Sequence, residues 1–315
     1  MYKLINITNL FSSVLVLFIM IIPGFLLRKL KFAGDELPKG LTNIILYVAQ
    51  PALIIVSFIR PYEPGIMKTA LGVLIFSFVL HGAYFGISLL FFRNAGEAQK
   101  RVYRFGSVFA NAGYMGIPLI MTLFGSDAAI YPSFYIIGFN FYCWSAGCLI
   151  YSGDRSFVSP KKMFLNPATI PTYIGLIFFL LPIDRYVPSV IVQSLDMLRS
   201  IVAPLSMMLV GIRLADMKLK GAFSDAYMYL ALGLRLLIFP AVAWGVVKLV
   251  ALTGLYVDDM AMTIVLICSA TPCAAATSMF AEKFNGDTVT AGKFVSISSI
   301  LSVITMPLVA LLLKI

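Results

Sequence analysis

Ten stretches of 18 to 25 mostly apolar residues follow one another along the chain, at 8–27, 41–59, 69–92, 105–124, 128–151, 166–183, 190–211, 226–250, 259–281 and 291–313. A helix needs about 20 such residues to cross the hydrocarbon core of a bilayer, and a barrel strand only about 9–11. No water satisfies backbone groups in lipid, so a span must be a helix or part of a closed barrel. The lengths select helices. The expected fold class is an all-α polytopic membrane protein with ten transmembrane helices. Composition points the same way. The chain is 60% hydrophobic and 12% charged, with a mean hydropathy of +0.95. Soluble domains are about 45–50% apolar and about 25% charged. This excludes an ordinary cytosolic enzyme, a disordered chain and a secreted disulfide scaffold.

The net charge of +10 does not indicate nucleic acid, because the basic residues sit in short runs between apolar stretches. The loops that follow odd-numbered spans hold 16 of the 24 Lys and Arg residues, among them Arg28, Lys29, Lys31, Lys100, Arg101, Arg104, Lys161, Lys162, Arg213, Lys218, Lys220 and Lys283. The positive-inside rule makes those loops cytoplasmic and puts both termini outside. The first span, uncharged from Thr8 to Leu27, precedes its basic cluster. A secretory signal has the reverse order. Within the seventh span Asp196 and Arg199 lie three apart, so they share a helix face and can pair.

The longest polar connector, 152–165, separates a first half at 1–151 from a second at 166–315. Five spans per half is an odd number, so the second half is inverted in the membrane. Inverted repeats of this kind are a mark of secondary transporters. Two proline pairs support the repeat. Pro51 and Pro204 are 153 residues apart, in spans two and seven; Pro118 and Pro272 are 154 apart, in spans four and nine.

The fourth span reads Phe109-Ala110-Asn111-Ala112-Gly113-Tyr114-Met115-Gly116-Ile117-Pro118-Leu119. Two glycines and a proline within six residues weaken the helix, because proline lacks an N–H and clashes with the preceding turn. The freed backbone groups need partners from protein, water or ligand. The ninth span mirrors it with Cys268-Ser269-Ala270-Thr271-Pro272-Cys273-Ala274. Half-helix N-termini offer partial positive charge to an anion, and freed carbonyls can hold a cation.

The Asn111 to Leu119 motif resembles that of the auxin efflux carrier family, whose members include bacterial malate and malonate permease homologues. The contexts of Pro51, Pro204, Arg235 to Pro240 and Pro272 are similar too, so the resemblance covers nearly the whole chain. It implies a fold like that of bile-acid symporters and sodium–proton antiporters, with broken spans four and nine crossing at mid-membrane. Spans one, two, six and seven would be a scaffold, with three to five and eight to ten moving in elevator fashion. The implied substrate is a small organic anion such as malate, malonate or an auxin-like acid. The implied substrate-binding residues include Asn111, Pro118, Asn140 and Pro272. Their neighbours Gly113, Tyr114, Gly116, Ser269 and Thr271 join them as candidates. The chain lacks the long cytoplasmic loop of the plant carriers after span five, which aligns it with permeases of the bacterial inner membrane. A homodimer through scaffold helices is a family-level expectation.

Other residues carry two readings each. Asn140, in an uncharged span, either contacts substrate or makes an interhelical hydrogen bond worth ~0.6–2 kcal/mol. Arg235 lies within span eight, where a central arginine costs ~2.5–3.5 kcal/mol and must face protein or water. It either attracts the anion, or snorkels or caps a helix. His81, the single histidine, either relays protons or packs with a hydrogen bond. Cys143, Cys148, Cys268 and Cys273 lie in apolar stretches and read as packing residues, so no metal site or other cofactor is expected. No carboxylate sits near a span centre, and coupling to sodium or protons would use carbonyls, Asn, Ser, Thr or the substrate's own proton. Neither Gly-x-Ser-x-Gly nor His-Glu-x-x-His occurs, so an intramembrane enzyme is disfavoured. A channel is disfavoured by the inverted halves.

Overall fold

A computed structural model describes residues 7–181, 184–216, 225–253 and 258–313. The described chain is helical. Its helices are α1 (Phe11–Lys29), α2 (Leu37–Phe58), α3 (Pro64–Ser88), α4 (Glu97–Val108), α5 (Ala112–Phe124), α6 (Ser126–Ser152), α7 (Ile170–Leu180), α8 (Ser189–Asp216), α9 (Ala226–Leu252), α10 (Asp259–Ala270), α11 (Ala276–Lys283) and α12 (Thr288–Leu312). Among the described residues the one isolated β-bridge joins Ala110 to Cys273.

Seven of these helices are long and apolar enough to cross a membrane: α1, α2, α3, α6, α8, α9 and α12. The fourth, sixth and ninth apolar stretches give only the shorter α5, α7 and α10. In the fourth and ninth the reason is a break, which divides each stretch into two short helices, α4 with α5 and α10 with α11. The sixth stretch spends its first residues on a turn. The Asn166 side chain accepts hydrogen bonds from the N–H groups of Ala168 and Thr169 at 2.9 and 3.2 Å.

Prolines shape the long helices locally. Wide π-helical turns at Ile45–Ala49, Ala112–Gly116 and Leu234–Ile238 each run into an α-segment with proline in its first turn: Pro51, Pro118 and Pro240. A proline ring collides with the carbonyl four residues back, and widening that turn relieves the clash without ending the helix.

Contacts distant in sequence sort the helix ends into two groups. At one end Arg28 Nε lies 2.5 Å from Asp216, Arg101 donates to the Tyr151 carbonyl at 2.6 Å, and the Tyr103 hydroxyl donates to Asp225. This end carries the basic loops. Lys218 and Lys220, which belong to the same set in the sequence, lie outside the described residues. At the other end the Thr69 hydroxyl donates to Asp258 at 2.7 Å, and Asp127 faces Arg60 at 3.8 Å and Arg199 at 3.9 Å. Arg199 also pairs with Asp196 at 2.8 Å, as their spacing suggests.

Small residues set the tightest helix crossing of α1 with α8. A Cβ on Gly24 would fall 2.0 Å from the Met208 carbonyl oxygen, and one on Gly211 would fall 2.1 Å from that of Ile21. Only glycine admits backbone this close, and in lipid such packing is what holds helices together. Helix α2 packs on α7 through Phe58, whose ring lies over Gly175. Helix α3 is tied to α6 by the Ser77 hydroxyl, which donates to the Tyr135 carbonyl at 2.7 Å.

Candidate functional site

Helix α4 ends at Val108 because Phe109 turns to an extended conformation, and α10 ends at Ala270 because Thr271 does the same. The two extended breaks lie antiparallel, side by side. The Asn111 N–H donates to the Pro272 carbonyl at 2.8 Å, and the Ala274 N–H donates to the Phe109 carbonyl at 2.9 Å. Each break thus supplies partners for the other, as backbone away from water requires.

Four helix ends meet here, and they carry opposite partial charge. The C-termini of α4 and α10 present carbonyls, and the N-termini of α5 and α11 present N–H groups. Arg235 of α9 serves the carbonyl face. It is fully buried. Its Nη1 donates to the carbonyls of Ser107 and Val108 at 3.0 and 3.1 Å, and its Nη2 donates to that of Ser269. The guanidinium also faces the rings of Tyr84 and Phe239, 5.9 and 5.8 Å from their centroids. The Tyr84 hydroxyl donates to the Ser269 hydroxyl at 3.0 Å. One cation therefore joins both broken helices at their negative ends. His81 packs nearby with Nδ1 2.8 Å from the Ser77 carbonyl, ringed by Tyr84, Phe109, Tyr135, Phe139 and Tyr142.

The N–H face opens on a cavity of about 150 Å³. Asn111, Gly113 and Tyr114 line it from the start of α5, Asn140 from α6, and Ala274, Ala275 and Ala276 from the start of α11. Gln50 and Asn166 add two further amides, and Phe139, Trp144 and Phe280 form apolar walls. No charged side chain is among the described lining residues. The Asn140 side chain is 6% exposed, and its Nδ2 is buried without a hydrogen-bond partner among the described residues. At the basic-loop end, Lys283 and Lys162 place their ammonium groups 4.5 and 5.4 Å from the Trp144 ring centroid. Desolvation, with Lys162 beside it, lowers the Lys283 pKa from the ordinary lysine value.

The sequence candidates divide between these faces. Asn111, Gly113, Tyr114 and Asn140 line the cavity. Gly116 packs instead on Thr271 and Cys268, and Pro118 lies in the first turn of the straight part of α5. The Thr271 hydroxyl caps the Cys268 carbonyl at 2.7 Å. Pro272 supplies the carbonyl that binds Asn111. Ser269 and Arg235 belong to the carbonyl face. Gln50 and Asn166 escaped the sequence reading. Gln50 carries the same signal as Asn140, an amide inside an uncharged span, and it immediately precedes Pro51. Asn166 stands at the end of a polar connector, where nothing in the sequence marks it. Among the described residues no cluster of three metal-ligating side chains occurs, and the four cysteines are free and buried.

A family described as membrane transport protein matches the chain twice, over residues 9–157 and over 155–310. The chain belongs to this family. It is the auxin efflux carrier family that the fourth-span motif resembles. Two curated relatives carry the same general description. An uncharacterized transporter of Methanothermobacter thermautotrophicus is 27% identical over 303 residues, covering 94% of this chain and 96% of the relative. An uncharacterized transporter of Methanocaldococcus jannaschii is 26% identical over 254 residues, 77% of this chain and 80% of the relative. The transporter thus aligns over most of its length with proteins whose description is transport alone.

Proposed function

We propose that the protein is a secondary transporter of small organic anions, and that the carboxylate binds in the cavity on the N–H face of the crossing. The observation that carries this reading is the pairing of two helix N-termini with an orphan amide, Asn140 Nδ2, in one half-open cavity. Each helix N-terminus is worth roughly half an elementary charge. Two of them offset about one carboxylate. Amides of Asn111, Asn140 and Gln50 replace its hydration, while Phe139, Trp144 and Phe280 receive an apolar body. A second negative charge meets no basic side chain in the lining. The reading therefore favours acids carrying one charge, with malate or malonate entering in singly protonated form.

Alternating access follows the grouping of helices. Helices α1, α2, α7 and α8 form the fixed unit, and α3 to α6 with α9 to α12 carry the crossing past it. The ten apolar stretches are membrane crossings in this scheme, two inverted sets of five, with the basic loops in the cytoplasm.

The test is a thermal-shift series on purified protein in detergent with benzoate, indole-3-acetate, malonate and malate, with and without sodium, at two pH values. A ligand bound by the folded state alone raises Tm by mass action. Benzoate or indole-3-acetate is expected to raise Tm in the wild type and to lose that effect in Asn140→Ala. Folded protein that responds to no carboxylate overturns the substrate class. A sodium or pH dependence of the shift identifies the coupling ion.

A further inference from the structure

Two more spaces adjoin the cavity at the crossing. Asn111, Tyr114 and Ala275, which line the cavity, also line a narrow gap of about 20 Å³ against α8 and α12. The far side of that gap is made by Arg213 and Ser296, and both also line a wider cleft of about 280 Å³. The cleft lies between the ends of α8 and α11 and the start of α12. Its rim residue Asp216 is paired with Arg28, so the cleft opens at the basic-loop end. Shared lining residues at each step set the three spaces in series from that end to Asn111.

Charge is distributed unevenly along the series. The outer cleft carries both signs, with Asp216 and Glu282 as well as Arg213 and Lys293. The narrow gap has a single charged side chain among its described lining, Arg213. The rest of its polar lining is the hydroxyls of Ser206, Ser296 and Ser299 and, at the inner end, Asn111 with Tyr114. The Nε of Arg213 and the hydroxyl of Ser206 are buried without hydrogen-bond partners among the described residues. Buried donors left in this state are unfavourable unless an acceptor arrives. The Nε of Arg235 is likewise without a partner, but both its terminal nitrogens are held by carbonyls. Gly211, two residues before Arg213, packs on the backbone of α1, which fixes this part of α8.

We propose that this series of spaces is the cytoplasmic route to the crossing and that Arg213 is the charge that gathers carboxylates into it. The inference rests on the anion-transport reading above. A cation in a narrow, low-dielectric constriction focuses its field along the passage and raises the local concentration of anions. The carboxylate is first held by Arg213 and Ser206, then handed to Asn111 and the N-termini of α5 and α11. Arg213 is thus a positioning and selecting residue, ahead of the site itself.

The experiment needs no substrate. Gly292→Cys puts a thiol where a Cβ meets nothing within 4 Å, in the outer cleft, and Ser296→Cys puts one at the junction with the gap. Each is expressed in inside-out membrane vesicles and labelled with an anionic sulfonatoethyl methanethiosulfonate or its cationic trimethylammonium counterpart. The parent chain, whose four cysteines are buried, gives the background. Both positions are expected to react from the cytoplasmic side. At position 296 the ratio of anionic to cationic labelling rate is expected to fall about tenfold in Arg213→Gln and to be kept in Arg213→Lys. A ratio that Arg213→Gln leaves unchanged, in protein that still elutes as a folded species, overturns the role of Arg213. Labelling from the outer face alone overturns the route. Carboxylate binding is read separately by thermal shift, so the failure of either reading is recognisable.

Discussion

The two faces of the crossing are built from the same broken helices yet do opposite work. On the carbonyl face the freed helix-end carbonyls are met by protein: Arg235 bridges those of Ser107, Val108 and Ser269, under the rings of Tyr84 and Phe239, although its Nε and the Ser107 hydroxyl have no hydrogen-bond partner among the described residues. On the N–H face, a few residues along the same chain, the amide of Asn140 is left without a partner beside a cavity. A helix break in a membrane protein frees both donors and acceptors. Here a side-chain cation stabilises the acceptors permanently, and the donors are left for something that comes and goes. In the proposed reading, the difference separates what holds the fold from what serves transport.

The largest effect expected from this contrast comes from Arg235→Ala. It strips three carbonyls of their donors in a dry interior, and each buried group left unsatisfied costs about 1–3 kcal/mol. Folded protein in detergent, measured by size-exclusion chromatography and Tm, should fall sharply whether or not a carboxylate is added. A variant that stays folded and loses only carboxylate binding would move Arg235 to the binding face.

Gly211→Leu comes next. Its side chain would start 2.1 Å from the backbone oxygen of Ile21, which cannot rotate away. Separation of α1 from α8 should lower Tm by several degrees, and Gly24→Leu should behave alike. By contrast Gly292→Leu, where a Cβ meets open space, should leave Tm nearly unchanged.

Asn140→Ala and Asn111→Ala sharpen the other side of the comparison. Asn140 Nδ2 makes no hydrogen bond within the described protein, so its removal strips no acceptor of a donor and should lower Tm far less than Arg235→Ala. Proteoliposome uptake of benzoate should nevertheless be lost. Unimpaired uptake with either variant would remove the cavity from the transport path. The smallest effect is expected from the double variant Lys162→Gln with Lys283→Gln. These exposed lysines flank Trp144 at the cavity mouth, and their loss should raise the KM for uptake a few-fold at low salt and not at high salt, since exposed charges are screened beyond about a Debye length.

Much of the crossing was legible from the sequence. Gly113, Gly116 and Pro118 announce one break and Pro272 the other, because these residues change what a backbone can do wherever they stand. The placement of Arg235 was not legible. Its surroundings are carbonyls of residues far away in sequence, in α4 and α10, and any residue type has a carbonyl. Its sequence readings, anion attractor against snorkelling or helix-capping residue, differ only in three dimensions, and the hydrogen bonds found are to helix-end carbonyls. Gln50 was missed for a related reason. An amide in a span marks polarity without saying which neighbour it faces. The shortness of the sixth stretch as a helix went unseen, since apolar length counts the residues of a turn and of a helix alike. Arg213 stands at the end of an apolar stretch, where the sequence reading counts it only as an orientation signal.

The most direct test of the contrast between the faces locates the ligand. An experimental structure of the protein with para-bromobenzoate, phased on the bromine anomalous signal, would show where the acid sits. The account predicts the carboxylate beside Asn111 and Asn140 at the start of α11, with bromine towards Trp144 and Phe280 and Arg235 still on its three carbonyls. A bromine peak against Arg235, with those carbonyls released, would contradict it.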